Sequence, residues 1–250
     1  MPTNKGIFKG KEIAQYLNNK KVKDLSNNLK NMLEALYGPL DENEYIYCEK
    51  IEDFIKPDIV IEYKGIKKYI SLKSGRAESI HQEFIKNFIL FLRSLGISKK
   101  TQQTILLYQY GDGTMDGSGK RRMKYHEMRT WLDERIKEAN EELNSDQYII
   151  EQVIERCLVL GNLENAIPID AIYFGDYNFG NIATIKQIRK HLRRSNWDWM
   201  NNLHIGPLQF RPHARYIDKE IKNEKYRNKI DCYWANLSSD IEFISRRYNY

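Results

Sequence analysis

The stretch between Pro57 and Glu83 has the residue types and spacing that phosphate chemistry needs. Asp58 begins one run of alternating apolar residues, and Lys73 ends the next run, which follows a turn at Gly65. If both runs are strands of a hairpin, the turn brings the end of the second strand back to the start of the first. Asp58 and Lys73 then become neighbours. A carboxylate beside a lysine can hold a hard cation and an anion together, as phosphodiester hydrolysis requires.

The patterns around this pair predict the elements that position it. Leucines at helical spacing predict a helix over residues 24–37, which Gly38 and Pro39 end. Three strands are predicted next, over residues 45–51, 58–64 and 67–73. A strongly apolar helix over 78–95 and a buried strand over 103–110 follow. This order predicts an α/β fold with a mixed central β-sheet flanked by helices.

The hairpin motif resembles that of the PD-(D/E)XK nuclease superfamily. The residues that carry the resemblance are Pro57 and Asp58, followed by Ser71, Leu72 and Lys73. The order of helix, strand hairpin and helix also resembles that family's core, over roughly residues 24–110. The resemblance implies a restriction-endonuclease-like core that hydrolyses DNA with Mg²⁺, with Asp58 as a metal ligand and Lys73 acting on the water or the phosphate.

One position departs from the family pattern. Ser71 stands two residues before the lysine, where the pattern has Asp or Glu. Some type II restriction endonucleases of the superfamily have Ser there and take the missing acid from the following helix. By this resemblance Glu83 is the first candidate for the second metal ligand, and Glu78 is the second candidate. Glu83 lies somewhat closer to the lysine than such enzymes place the acid.

The second half of the chain has no comparable catalytic set, and its patterns predict an α/β elaboration. Helices are predicted over 124–143, 146–160 and 182–194, and strands over 169–174, in LHIGPLQF and near 230–235. Three basic segments offer contacts to DNA phosphates or base edges: Lys120, Arg121 and Arg122 in a Gly-rich loop; Arg189, Lys190 and Arg193 in the basic helix; and Arg211 and Arg215 with Gln209 and His213. For any single one of these residues, an ordinary solvated basic surface explains the charge better than a DNA contact does.

Bulk composition is that of an ordinary globular protein, with 30% charged and 41% hydrophobic residues among 250. The net charge of +6 and a pI near 9.0 suit a polyanionic partner. Three widely spaced cysteines disfavour a zinc site or a disulfide framework and fit a reducing cytoplasm. No apolar run has the length of a membrane span, about 18 residues. We predict a single domain over 1–250, with a nuclease core over 24–110 and an elaboration for recognition and dimerisation over 111–250.

The function that these observations favour is Mg²⁺-dependent, sequence-specific cleavage of double-stranded DNA, resembling that of a type II restriction endonuclease. A homodimer is expected, since cutting both strands of a palindrome calls for two sites related by a two-fold axis. Two alternatives stay open. One is another nuclease of the same superfamily, such as a structure-specific repair or phage enzyme. The other is a non-catalytic DNA-binding protein in which Ser71 marks a lost metal site.

Overall fold

The structure is a computed structural model that describes residues 4–52, 55–75, 79–119, 122–161, 166–193, 197, 202–213 and 224–248. The α-helices of these residues are α1 (Asn4–Leu17), α2 (Asn27–Tyr37), α3 (Ile85–Ser94), α4 (Lys99–Tyr110), α5 (Tyr125–Leu143), α6 (Gln147–Ile154), α7 (Ile185–Leu192), α8 (Glu224–Arg227) and α9 (Leu237–Tyr248). The strands are β1 (Lys20–Lys21), β2 (Tyr45–Lys50), β3 (Ile59–Tyr63), β4 (Ile66–Lys73), β5 (Ser79–Phe84), β6 (Ala171–Gly175), β7 (Gly180–Thr184), β8 (His204–Ile205), β9 (Leu208–Pro212) and β10 (Lys229–Trp234). The predicted fold class, α/β with a mixed central sheet flanked by helices, is confirmed.

The chain divides into two compact units whose segments alternate along the sequence. Unit 1 comprises 1–78, 158–194 and 236–250, and unit 2 comprises 79–157 and 195–235. The predicted core over 24–110 is therefore shared between the two units. The predictions of one domain and of an elaboration that starts at residue 111 stay predictions. Among the described residues, no helix combines the length and the apolar character needed to cross a membrane.

Unit 1 is built on a mixed sheet with the strand order β1-β2-β3-β4-β6-β7. All neighbouring pairs are antiparallel except β4 and β6, which are parallel. One face of the sheet is apolar, and its buried residues form a continuous core with those of α1 and α2, such as Leu17 and Leu33. The opposite face of β3 and β4 carries the polar residues of the hairpin motif, because side chains alternate along a strand.

Local sequence explains where helix α2 begins and ends and how β3 and β4 are joined. α2 begins after Ser26, whose hydroxyl accepts a hydrogen bond from the Leu29 N–H, and it ends at Gly38 with φ +80°. The β3–β4 turn places Lys64 at φ +49° and Gly65 at φ +77°. Two consecutive residues with positive φ are characteristic of a two-residue hairpin turn that matches strand twist. The three predicted strands over 45–51, 58–64 and 67–73 are therefore confirmed.

Unit 2 contains an antiparallel sheet with the order β5-β10-β9-β8, together with helices α3 to α6 and α8. One face of this sheet is buried, and there Phe210 stacks on Phe88 of α3 with the ring centroids 4.8 Å apart. β8 and β9 form a hairpin around Gly206, which has φ +54°. The strands predicted in LHIGPLQF and near 230–235 correspond to this hairpin and to β10.

Some predicted elements are wrong. Residues 103–110 lie in helix α4 rather than in a strand, because a short apolar run does not distinguish a buried helix from a buried strand. The first part of the predicted helix 78–95 is strand β5, because it pairs with β10 from far along the chain. The predicted basic helix 182–194 begins only at Ile185, since the residues before it form β7.

Candidate active site on the first sheet

The hairpin brings Asp58 and Ser71 face to face. Asp58 directly precedes β3, and its N–H donates to the Ile70 carbonyl at 2.8 Å, so the ladder of hydrogen bonds continues to this residue. Its carboxylate oxygen Oδ2 accepts from the Ser71 hydroxyl at 3.1 Å and from the Leu72 N–H at 2.7 Å. These two bonds fix the orientation of the carboxylate. Among the described residues, no group donates a hydrogen bond to the other oxygen, Oδ1.

Lys73 occupies the same face of β4 as Ser71, at the last position of the strand. By strand geometry its side chain starts roughly 7 Å from that of Ser71. Lys73 is half-buried, and no ion pair engages its ammonium among the residues that the structure describes. The hairpin bonds Asp58 to Ser71 and puts Lys73 on the same face of β4 as Ser71, and the proximity of Asp58 and Lys73 stays a prediction.

The donor set at this strand end suits a magnesium ion. Asp58 Oδ1 and the Ser71 hydroxyl are hard oxygen donors on one edge of the sheet. Mg²⁺ prefers oxygen ligands and usually keeps several waters, with one or two carboxylates and substrate phosphates completing the shell. A single carboxylate is the smallest protein contribution compatible with such a site. Asp58 would hold the ion, and Ser71 would orient Asp58.

Glu83 lies in unit 2 on strand β5, and not in a helix as predicted. Its side chain is 1% exposed and accepts hydrogen bonds from Arg156 Nε at 2.9 Å and Arg156 Nη2 at 2.6 Å. His81 Nε2 lies 3.2 Å from the same carboxylate. Burial alone would raise the pKa of Glu83, but the hydrogen bonds from His81 and Arg156 outweigh it and hold that pKa below its ordinary value. Glu83 is therefore a charged carboxylate that is already paired.

A buried group of possible metal ligands surrounds this ion pair. The ligand atoms of His81, Glu83 and Cys157 all lie within 4.8 Å of one another. Imidazole and thiolate suit zinc, whereas magnesium takes oxygen ligands. The Arg156 guanidinium already contacts both carboxylate oxygens of Glu83. The ion pair thus accounts for this buried carboxylate without a metal ion.

The predicted DNA-contacting residues fall in separate places. Lys120, Arg121 and Arg215 lie outside the described residues, as does Glu78, the second candidate for a metal ligand. Arg122 donates a hydrogen bond to the Gln109 carbonyl at 2.6 Å. The remaining candidates are the exposed cations of α7 in unit 1 and the β9 arginine in unit 2: Arg189, Lys190, Arg193 and Arg211.

The α7 cations line a concave surface of unit 1 with a volume of about 830 Å³. Arg189, Lys190 and Arg193 share this surface with Lys186 and with Lys68 from β4. Lys68 pairs with Asp170 at 2.9 Å, so one of the five cations is neutralised locally. The cations of the predicted basic helix therefore form a positive concavity within the unit that carries Asp58.

Sequence reasoning missed the partners of the polar residues on the second sheet. Arg211 donates to Gln209 at 2.7 Å, and its guanidinium lies 4.9 Å from the ring centroid of Tyr233. Asp231 lies beside them on β10, opposite Arg211 in the register. The alternation of Lys229, Asp231 and Tyr233 along one strand was a visible signal that these side chains share a face.

Comparison with known proteins gives a similarity in structure. No protein-family model and no curated protein sequence matches the chain. The chain is similar to the crystal structure of restriction endonuclease MspI in complex with its cognate DNA, with 14% sequence identity and a TM-score of 0.45. The similarity covers 82% of this chain and 76% of that chain. It concerns the fold, and no role of any residue follows from it.

Proposed function

We propose that this protein is a Mg²⁺-dependent DNA endonuclease of the restriction-endonuclease type, with Asp58 and Lys73 in its active site. The observation that carries the proposal is the arrangement at the end of the β3–β4 hairpin. There, Asp58 is oriented through Oδ2 by Ser71 and Leu72, while Lys73 stands on the same face. An oriented carboxylate and a nearby ammonium are the charges that a cation-assisted attack on a phosphodiester requires.

The two residues have separate roles. Asp58 contributes a carboxylate oxygen to hold the cation, and the hydroxyl of Ser71 keeps that carboxylate in one orientation. When bound, magnesium stabilises the charge that develops on the phosphate and lowers the pKa of the attacking water. Lys73 cannot be a metal ligand while it is charged, since an ammonium has no acceptor. Its place is beside the phosphate or the water, where its charge stabilises the transition state.

Double-stranded DNA is the proposed substrate because the chain is basic overall and unit 1 carries a concave surface lined by cations. The net charge is +6, and four of the five cations that line the concave surface of unit 1 come from α7 and from Arg193, the residue that follows it. Such cations bind the phosphate backbone without regard to sequence. A homodimer that cuts both strands of a palindromic sequence is part of the proposal.

A non-catalytic DNA-binding protein is the second candidate. The observation that favours it concerns the two positions at which a second acid is expected, Ser71 by the family pattern and Glu83 as its replacement. Ser71 offers only a hydroxyl, which is bonded to Asp58, and Glu83 is paired with Arg156. Metal binding with only one carboxylate is weak unless a substrate phosphate completes the site. A metal titration in the presence and absence of DNA separates the two candidates.

The test is cleavage of a mixed-sequence plasmid in Mg²⁺, followed by sequencing of the fragment ends. Asp58→Ala should lower the cleavage rate by at least about 100-fold, as loss of a transition-state electrostatic contact does, while leaving DNA binding intact. The matched control is Glu62→Ala, an acid on the same strand that pairs with Lys67 and lies four residues along. Near-normal cleavage by Asp58→Ala, or absence of cleavage by the wild-type chain in Mg²⁺, would overturn the proposal.

A further inference from the structure

The second sheet carries a polar face that the proposed active site does not use. Strand register places the members on one side of β5, β10 and β9, because Asp231 stands opposite both Gln82 and Arg211. We call this surface the polar face. Its members are Gln82, Arg211, His213, Lys229, Asp231 and Tyr233.

The opposite side of the same sheet is the buried one. Cys232 of β10 stands opposite Phe210 of β9, and both are buried where Phe210 stacks on Phe88. An antiparallel sheet commonly has one face on the core and one facing water. On the polar face, Gln82 and His213 are exposed, and the His213 ring lies 5.3 Å from the Tyr226 ring, centroid to centroid.

Asp231 holds the polar face together. It is 5% exposed, and its carboxylate accepts from Gln82 Nε2 at 2.7 Å and from the Tyr233 hydroxyl at 3.0 Å. His213 Nδ1 lies 2.8 Å from the same carboxylate. The same Nδ1 also lies 2.7 Å from Gln82 Nε2. One buried acid therefore fixes three side chains from three segments of the chain.

Arg211 is held in place by different contacts. Its Nη2 donates to Gln209 Oε1 at 2.7 Å, and its guanidinium lies 4.9 Å from the centroid of the Tyr233 ring. An arginine carries five N–H donors in a planar fork. Among the residues that the structure describes, Arg211 donates one hydrogen bond, so other donors of that fork are left for a ligand, and the Tyr233 ring restricts where the guanidinium lies.

We propose that the polar face reads base edges of double-stranded DNA, with Arg211 reading a guanine; this inference rests on DNA being the substrate of the proposed function. A guanidinium in a fixed plane matches the O6 and N7 acceptors of guanine in the major groove, and glutamine matches adenine. A two-stranded β-ribbon fits the major groove, and β-sheet readers are an established class of DNA-binding protein. Lys229 is half-buried, and its Nζ donates a hydrogen bond to Gln82 Oε1 at 3.0 Å. This lysine adds positive charge to the polar face.

Side chains that only bind phosphates do not need such fixing. A lysine or arginine that neutralises a phosphate acts as a charge and tolerates many orientations. On the polar face, Asp231 instead bonds the amide of Gln82 and the imidazole of His213, and Gln209 separately bonds the guanidinium of Arg211. Asp231 is a positioning residue in this proposal, and Gln82, Arg211 and His213 are the groups that contact bases.

The test is selection from a library of random-sequence DNA duplexes, with Ca²⁺ in place of Mg²⁺ to limit cleavage. The wild-type chain should enrich a motif that contains guanine. Arg211→Lys keeps the charge but loses the fork, so preference for guanine at one position should fall by about 5- to 100-fold. Affinity for unrelated DNA and its salt dependence should not change. The control is Arg135→Lys, the same substitution at an exposed position of α5 in the same unit, and it should enrich the wild-type motif.

Two outcomes would overturn the inference. Enrichment of an identical motif by Arg211→Lys would show that the polar face does not read that base. Enrichment of no motif by the wild-type chain would show that it does not read sequence at all. Plasmid cleavage in Mg²⁺ is measured separately. Cleavage without an enriched motif would refute base reading by the polar face and leave the nuclease proposal standing. An enriched motif without cleavage would refute the nuclease proposal and leave base reading by the polar face standing.

Discussion

The buried ion pair between Glu83 and Arg156 allows a sharp test of what Glu83 does. Glu83→Gln keeps the size of the side chain but removes its negative charge. The Glu83 carboxylate accepts two hydrogen bonds from Arg156, at 2.9 and 2.6 Å. Breaking one partner of a buried pair costs about 3–5 kcal/mol. The Arg156 side chain is 21% exposed, and water reaches it in part. We therefore expect a loss of about 2–3 kcal/mol in the free energy of unfolding.

Urea unfolding followed by circular dichroism measures this loss as a lower midpoint, with the slope unchanged. In thermal unfolding the same loss corresponds to a drop of about 4–12 °C in Tm. The control is Glu134→Gln, which removes a carboxylate paired with Lys137 on an exposed stretch of α5 and should leave the midpoint unchanged. The double variant Glu83→Gln with Arg156→Met should be more stable than Glu83→Gln alone, because no charge stays unpaired.

The effect should depend on pH in one direction. The pKa of Glu83 in the folded protein lies below its ordinary value. Stabilisation by this carboxylate is then fully present above the unfolded-state pKa of about 4.3 and is lost as the pH falls through the lower folded-state pKa. The difference in the free energy of unfolding between wild type and Glu83→Gln should shrink as the pH falls below about 4.

The same variant tests the predicted role of Glu83 as a metal ligand. Cleavage is measured at a temperature at which circular dichroism shows both proteins folded. Loss of cleavage there would support Glu83 as the second acid of the magnesium site, whereas retained cleavage would place that acid elsewhere. An unchanged unfolding midpoint would refute the reasoning from the ion pair, since it would mean that the charge of Glu83 contributes nothing to stability.

Three further predictions concern catalysis, DNA binding and the buried thiols. Lys73→Ala should lose cleavage and keep metal binding by calorimetry, and loss of both would show that the role assigned to Lys73 is wrong. Replacing Arg189 and Arg193 by Ala should weaken binding to all sequences alike and reduce the salt slope by about 2, whereas an altered cleavage sequence would make α7 a base reader. Burial, with a smaller contribution from Glu49, raises the pKa of Cys48 to about 12. Alkylation of this thiol at pH 8 should therefore be slow until urea unfolds the chain. Fast alkylation of the folded chain would contradict the burial of Cys48.

Much of the proposed active site could be predicted from sequence, because the contacts that form it are local. The turn at Lys64 and Gly65 sets the register of β3 and β4, and alternation along β4 puts Ser71 and Lys73 on one face. Asp58 and Ser71 are separated by only 13 residues and meet through that hairpin alone. No distant part of the chain is needed to bring these groups together.

The setting of Glu83 was decided by tertiary structure. Its neighbourhood has the apolar spacing of a helix, but β5 pairs with β10, and Gln82 and Asp231 are 149 residues apart in the chain. Arg156, the partner of Glu83, lies 73 residues away. Hydrogen bonding to a distant strand outweighs the small differences in local propensity, so no window of sequence could place this carboxylate.

The polar face shows the same division. The sequence indicated Gln209, Arg211 and His213 as residue types that read bases, and strand alternation alone put them on one side. Only the pairing of three strands brought Asp231 behind them and Gln82 beside them. The sequence determines which side chains one strand presents together, because that depends on a two-residue repeat. The tertiary structure decides which strands become neighbours, because that depends on where distant apolar faces are buried together.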